Sequence, residues 1–193
     1  GVSAIMALIL GICAATLGKK VDSAISFAID TVMGIPHILL LILISYAMGK
    51  GLKGVIAGVA LTHWTSLARL IRGEVMQLRE SEYIQIAGKL GLGKWEIAKK
   101  HIVPHVLPQF IVGLVLLFPH AILHESSITF LGFGLSTEQP AIGVILSESM
   151  RYLIMGKWWL AVFPGMMLVL TVVLFEKGGT ALRQLLDPGS VHK

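Results

Sequence analysis

Gly73-Glu-Val-Met-Gln-Leu-Arg-Glu-Ser-Glu-Tyr-Ile-Gln-Ile-Ala-Gly-Lys-Leu-Gly-Leu-Gly-Lys-Trp-Glu-Ile-Ala-Lys-Lys-His-Ile-Val-Pro104 is a polar island between long uncharged runs. It holds four glutamates and five basic residues, Arg79, Lys89, Lys94, Lys99 and Lys100. On either side the chain is too apolar for water. Over 193 residues the mean hydropathy is +0.81, 55% of residues are apolar and only 14% are charged. A soluble core of this size would need a more polar surface than these residues supply. The chain therefore reads as an all-α integral membrane protein, with the island as a loop outside the bilayer.

A membrane core needs roughly 20 apolar helical residues, with a range of about 17–25. Five runs fit: 1–18, 31–49, 54–68, 102–124 and 158–175. The helix of the second is expected to start near Asp22, leaving Asp30 close to one membrane face. Arg69 can extend the short third run by snorkelling. Trp158 and Trp159 open the last run as an interfacial belt would. Prolines 104, 108 and 119 in the fourth are tolerable where neighbouring helices satisfy the freed backbone groups.

Alternating spans put Lys19, Lys20, Arg69, Arg72, the island's five basic residues, Lys177, Arg183 and Lys193 on one side. Lys50, Lys53, Arg151 and Lys157 fall on the other. The positive-inside rule makes the island cytoplasmic. Residues 126–157 then form an external loop with one helix over 142–155, too charged at Glu148 and Arg151 to span. The net charge of +5 comes from residues at the ends of apolar runs rather than a stripe, so no nucleic-acid partner is expected. Cys13 is the only cysteine, which excludes an internal disulfide and a cysteine zinc site. Gly1 opens inside an apolar run with neither Met nor a basic flank, so the sequence reads as starting within a longer protein.

Within the island, 82–90 and 94–101 read as two short helices separated by Gly91-Leu-Gly93, whose glycines permit a tight turn. Pro104 restricts the residue before it and is expected to reset the chain direction. Tyr83, Ile86, Leu90, Leu92 and Trp95 are then available to fill a partner's groove. A solvated amphipathic loop is the plainer reading, and spacing alone does not choose between them.

The island resembles the EAA signature of ABC importer permeases. Gln85-Ile86-Ala87 stands at the Glu-Ala-Ala triplet, Gly91 at the glycine, and His101-Ile-Val103-Pro104 at the closing Ile-x-Leu-Pro. Gln, Ile and His depart from the pattern, while the glycine and proline are in place. Ala68-Arg69-Leu-Ile-Arg72, Leu78-Arg79-Glu80-Ser-Glu-Tyr83, Ser127-Ile-Thr-Phe-Leu-Gly-Phe-Gly134 and Leu186-Asp187-Pro188 resemble the second permease of the peptide/nickel branch. This resemblance implies one transmembrane domain over 1–193, preceded in the family by a further N-terminal span. It also implies a multi-pass protein of a prokaryotic cytoplasmic membrane, paired with a sister permease. Two cytosolic ATPases would carry ATP and Mg, and an extracytoplasmic binding protein would deliver cargo. The chain has no Walker loop, so no catalytic residues and no bound cofactor are expected. Tyr83, Gln85, Ile86, Ala87, Gly91, Leu92, Trp95 and Pro104 are the implied coupling residues.

Histidines at membrane depth, namely His37, His63, His120 and His124, are costly there and mark candidate path residues. His120 and His124 share a helix face, with Glu125 adjacent and His63 on another span. Imidazoles suit nickel, zinc, copper and cobalt, so His120, His124 and His63 are candidate metal ligands. Equally, single histidines in bundles serve as interhelical hydrogen-bonding groups. Nickel-importing permeases resemble this chain at His63-Trp64 and at His120/His124, where peptide importers carry small or apolar residues. Nickel, free or chelated, is the favoured cargo and a dipeptide or oligopeptide the alternative. From another class, His120, His124 and Glu125 are read as an intramembrane metallohydrolase site lacking a third ligand. A secondary transporter would have only Asp30 and Glu125 for ion coupling.

Overall fold

The computed structural model describes residues 1–186, and among them there are helices and no strands. In chain order the helices are α1 (Val2–Thr16), α2 (Lys19–Gly34), α3 (His37–Ala47), α4 (Gly51–Thr62) and α5 (Trp64–Arg79). The short α6 (Glu82–Lys89) and α7 (Lys94–Ile97) follow, then a π-type turn over Ala98–Ile102. α8 (Val103–Phe130), α9 (Ile142–Leu153) and α10 (Trp159–Leu186) complete the order. Three helical stretches are long and apolar enough to cross a membrane: Gly51–Arg79, Trp95–Phe130 and Trp159–Leu186. The contacts divide the chain into two units.

The first unit holds Gly1–Gly34, His63–Leu114 and the stretch from Thr180. Its centre is the contact of α1 with α5. Ser3, Ala4, Ala7, Gly11, Ala14 and Ala15 are the buried residues of α1. They recur at helical spacing and are all small. In lipid, where apolar side chains gain nothing by leaving the solvent, close backbone approach and packing drive helix association. At Gly11 a Cβ would stand 2.8 Å from Ile71 Cγ2 and 2.9 Å from the Ala68 carbonyl oxygen. On α5, Leu67, Ala68, Ile71, Val75 and Leu78 form the receiving face.

The second unit holds Ile35–Thr62 and Val115–Gly179. Its hairpin α3–α4 turns through Gly49, Lys50 and Gly51, all at positive φ. Lys50 is the one described non-glycine residue there, and its amide donates to the Ser45 carbonyl at 2.8 Å. Gly54 lets α4 lie on α3: a Cβ would be 2.7 Å from the Ser45 carbonyl oxygen. Leu41, Val55 and Ile128 make the buried core of this unit, flanked by Ile42, Val59 and Leu135. The segment after α8 is stitched to the hairpin. Ser45 Oγ donates to the Phe133 carbonyl at 2.6 Å, and the Gly51 amide donates to the Gly134 carbonyl at 3.0 Å. α10 meets α8 through Phe118 and Phe175, whose rings lie 4.7 Å apart. Otherwise its most apolar window buries nothing within the chain.

Several expectations from sequence change here. The runs 54–68 and 102–124 fall inside the long apolar stretches, as does 158–175 apart from Trp158, but 31–49 is broken at Ile35–Pro36. There Pro36 becomes the N-cap of α3, and α2 with α3 meets the criteria for a span only as a bent pair. The run 1–18 is the 15-residue α1, shorter than the other spans. α8 continues to Phe130, so the segment expected as a loop from 126 begins as helix. Pro104 does not reset direction: α7, the π-type turn and α8 form one helical stretch. Proline lacks only its N–H, and at the second position of α8 the wider turn before it removes the need for that donor. The Asp187 and Pro188 of the C-terminal motif lie outside the described residues, as does Lys193.

Gly11→Val should lower stability by about 1–3 kcal/mol through overpacking against backbone. Gly73→Ala, which meets nothing within 4 Å, should stabilise α5 by up to about 1 kcal/mol. Thermal unfolding of both variants in the same detergent checks the pair.

Candidate functional site

The island sits on a foundation of arginines. α5 presents Arg69, Arg72 and Arg79, and each is tied to an earlier helix of the same unit. Arg72 grips Asp22 of α2 with two donors, Nε and Nη2, the latter at 2.7 Å from Oδ2. Arg69 reaches Asp30 at 2.5 Å, so it pairs across helices rather than snorkelling alone. The Arg79 guanidinium donates to the carbonyl of Ala15. That carbonyl is among the last four of α1, which have no partner inside their own helix. A cation at such an end contributes roughly 0.3–1 kcal/mol, and up to about 2 when partly buried.

Beyond Arg79 the chain turns and α6 begins. Ser81 Oγ donates to the Leu78 carbonyl at 2.5 Å, and Gln85 Nε2 donates to the Glu80 carbonyl at 3.1 Å. Ile84 points inward, 6% exposed, and Ile102 is 2% exposed. With Ile97, Thr16 and Arg79 they line a cavity of about 200 Å³ beneath the island. Gly91 stands at φ 92°, a left-handed turn that separates α6 from α7, while Gly93 has no positive φ. Lys100 pairs with Glu96 one turn away at 2.6 Å, and the Tyr83 ring meets His101 edge-on at 6.1 Å.

What faces outward is apolar. Tyr83 is 48% exposed, Ile86 54%, Leu90 76% and Trp95 81%. Tyr83, Ile86 and Leu90 are spaced as one helix face. These are the same residues the sequence reading offered to a partner's groove. Gln85, Gly91 and Pro104 are exposed beside them, while Leu92 and Ala87 are half-buried. Sequence reasoning missed Ile84 as the anchor; its place between outward-facing Tyr83 and Ile86 was the available signal.

The histidines divide differently from the sequence expectation. In the second unit, His37 opens α3 and its ring lies 4.4 Å from that of His124, tilted by 44°. Each offers a ring nitrogen, and these nitrogens lie within 4.8 Å. Thr62, fully buried, donates to the Gly58 carbonyl at 2.9 Å and lies 3.4 Å from His37 Nε2. His120, one turn before His124, is exposed. His63 follows Thr62 in the chain, begins the second segment of the first unit and is buried. Glu125 accepts from Thr129 Oγ1 at 2.8 Å and from Ser126 Oγ at 3.3 Å. Its carboxylate therefore holds the end of α8 in place, which argues against its use as a hydrolytic base. Asp30, engaged by Arg69, is likewise occupied.

Residues 7–190 match the family described as binding-protein-dependent transport system inner membrane component. The chain is 32% identical over 184 residues to the dipeptide transport system permease protein DppC of Bacillus subtilis, covering 95% of this chain and 58% of that one. It is 31% identical over 186 residues to the nickel transport system permease protein NikC of Escherichia coli, covering 95% and 66% respectively. The chain thus spans about three fifths of the length of the curated relatives it matches, 58% and 62% for the dipeptide permease and a Brucella suis peptide permease protein. In fold it is similar to a chain of the inward-facing MetNI methionine ABC transporter, with a TM-score of 0.72 at 17% identity. That match covers 96% of this chain and 90% of the other.

A double-mutant cycle on Asp22 and Arg72, a pair only about a quarter exposed, should give a coupling of about 1–3 kcal/mol. The exposed pair Asp30–Arg69 should give at most about 0.5 kcal/mol. Thermal stability of the single and double alanine variants in nanodiscs reads both.

Proposed function

Because the chain belongs to the family of binding-protein-dependent transport system inner membrane components, we propose that it is the permease subunit of an ATP-driven importer. The observation that carries this reading is the outward apolar face of Tyr83, Ile86, Leu90 and Trp95, seated on Ile84, Ile97 and Ile102. A cytosolic ATPase docks on that face, binds ATP with Mg, and supplies the work. Closure of two such ATPases moves the islands as rigid bodies, and the helices joined to them open the path to one side and then the other. A sister permease covers the bare α10 or neighbouring faces, and an extracytoplasmic binding protein delivers cargo. The island is cytoplasmic and the Gly132–Lys157 side external, a reading supported by the distribution of Lys and Arg.

The cargo favoured by the side chains is nickel, free or chelated. Two imidazoles in van der Waals proximity at membrane depth are costly in a path built only for peptides. They suit a borderline transition metal. The second reading, dipeptide or oligopeptide import, is favoured by several relatives named as dipeptide or oligopeptide permeases.

Trp95→Ala should uncouple the ATPase, lowering cargo-stimulated ATP hydrolysis and uptake by at least about tenfold if the indole contributes the 2 kcal/mol or more typical of a central anchor. Gly91→Val, strained at its left-handed φ, should do the same while the protein still inserts. Normal coupling in both variants removes the docking role. Uptake of radioactive nickel beside a labelled dipeptide separates the two cargoes.

A further inference from the structure

We propose that His37 and His124, with Thr62 beside them, form a transient binding site for a divalent transition metal within the second unit. The proposal deepens the transport reading and rests on it for the direction of traffic; the binding itself does not. His120 and His124, which share one helix in the sequence, are not the pair that meets. The ring against His124 belongs to α3, so the site is assembled by tertiary structure.

The chemistry of the donors sets the ligand class. Two imidazole nitrogens and a hydroxyl suit nickel, cobalt, zinc or copper, whereas magnesium and calcium prefer an all-oxygen shell. Two nitrogens each about 2.1 Å from one ion stand no more than about 4.2 Å apart. The ring nitrogens here lie within 4.8 Å, so a small rotation about the side-chain torsions suffices. Thr62 Oγ1, 3.4 Å from His37 Nε2, stands where it can hold a water of the ion's remaining shell.

Other features keep the site weak. His37 is the first residue of α3, and the amino end of a helix carries partial positive charge that disfavours a cation. The nearest carboxylate in sequence, Glu125, accepts from Thr129 and Ser126, which hold it to its own helix. Conduction needs binding strong enough to admit the ion and weak enough to release it. Two imidazoles beside a helix amino end meet that requirement better than a closed four-ligand cage.

The test uses the full-length protein in nanodiscs, with Ni(II) and Co(II) salts as probes. His37→Gln and His124→Gln keep a polar, hydrogen-bonding side chain but are poor ligands, so a purely structural pair would tolerate them. His105→Ala, at an exposed position, is the control. The expected result is Co(II) absorption bands of nitrogen ligation in the unmodified protein and the control. Each glutamine variant should bind Ni(II) at least about tenfold more weakly, a loss of about 1.4 kcal/mol, and the double variant should show no bands. In the assembled transporter, nickel uptake should fall while ATPase assembly persists. Unchanged bands and affinity in the double variant overturn the site and leave the transport reading intact. Lost binding with normal nickel uptake overturns its place on the path. Failure of ATP-driven uptake of any cargo defeats the transport reading alone, because the Co(II) bands still report the site.

Discussion

Three arginines on one helix carry the end of the first unit from which the island springs. Arg72 holds Asp22 through two donors, Arg69 holds Asp30, and Arg79 ends α1 by accepting nothing and donating to the Ala15 carbonyl. Arg72 and Asp22, each only about a quarter exposed, would be the costly pair to separate, whereas Arg69 and Asp30 are largely exposed. The pairings also depend on the backbone approach at Gly11, because α1 must lie close to α5 before Arg79 can reach its end. Charge and close packing therefore specify the same helix arrangement. The island inherits its position from that arrangement, since α6 begins three residues after Arg79.

The second unit solves a different problem. Its irregular segment after α8 has backbone groups that a helix would have satisfied internally. Ser45, Gly51 and Thr129 take that burden: the Ser45 hydroxyl and Gly51 amide donate to carbonyls of Phe133 and Gly134, and the Leu135 amide donates to Thr129 Oγ1 at 3.0 Å. Lys50 adds its ammonium 4.9 Å from the centre of the Phe133 ring. Gly143 allows α9 to come down on Ser126, whose carbonyl oxygen would be 2.6 Å from an added Cβ. A motif read in the sequence only as family resemblance, Ser127 to Gly134, thus has a local physical purpose.

Composition was enough to read a helical membrane protein, because hydropathy is a sum over residues and needs no contacts. The island was legible for the same reason, and its turn at Gly91 because only glycine adopts that φ cheaply. The break at Ile35–Pro36 could have been read from the restriction a proline places on its predecessor, but the apolar run around it masked the signal. The continuity through Pro104 could not, since a π-type turn has no distinctive composition. Pairings of residues 22 with 72, 30 with 69 and 37 with 124 were equally hidden. Each joins side chains from helices far apart in sequence, and a period along one helix says nothing about its neighbour. That is why His120 drew attention that the structure gives to His37.

The π-type turn at Ala98–Ile102 has a consequence for the phase of the helix it interrupts. Such a turn accommodates one residue more than regular α geometry does, and an α-helix advances by about 100° per residue. The azimuth of Trp95 about the axis of the first half of α8 is thus fixed by a single surplus residue. Were that residue missing, the indole would be carried about a quarter of the way round the rod, with every helix still formed and the apolar face aimed elsewhere.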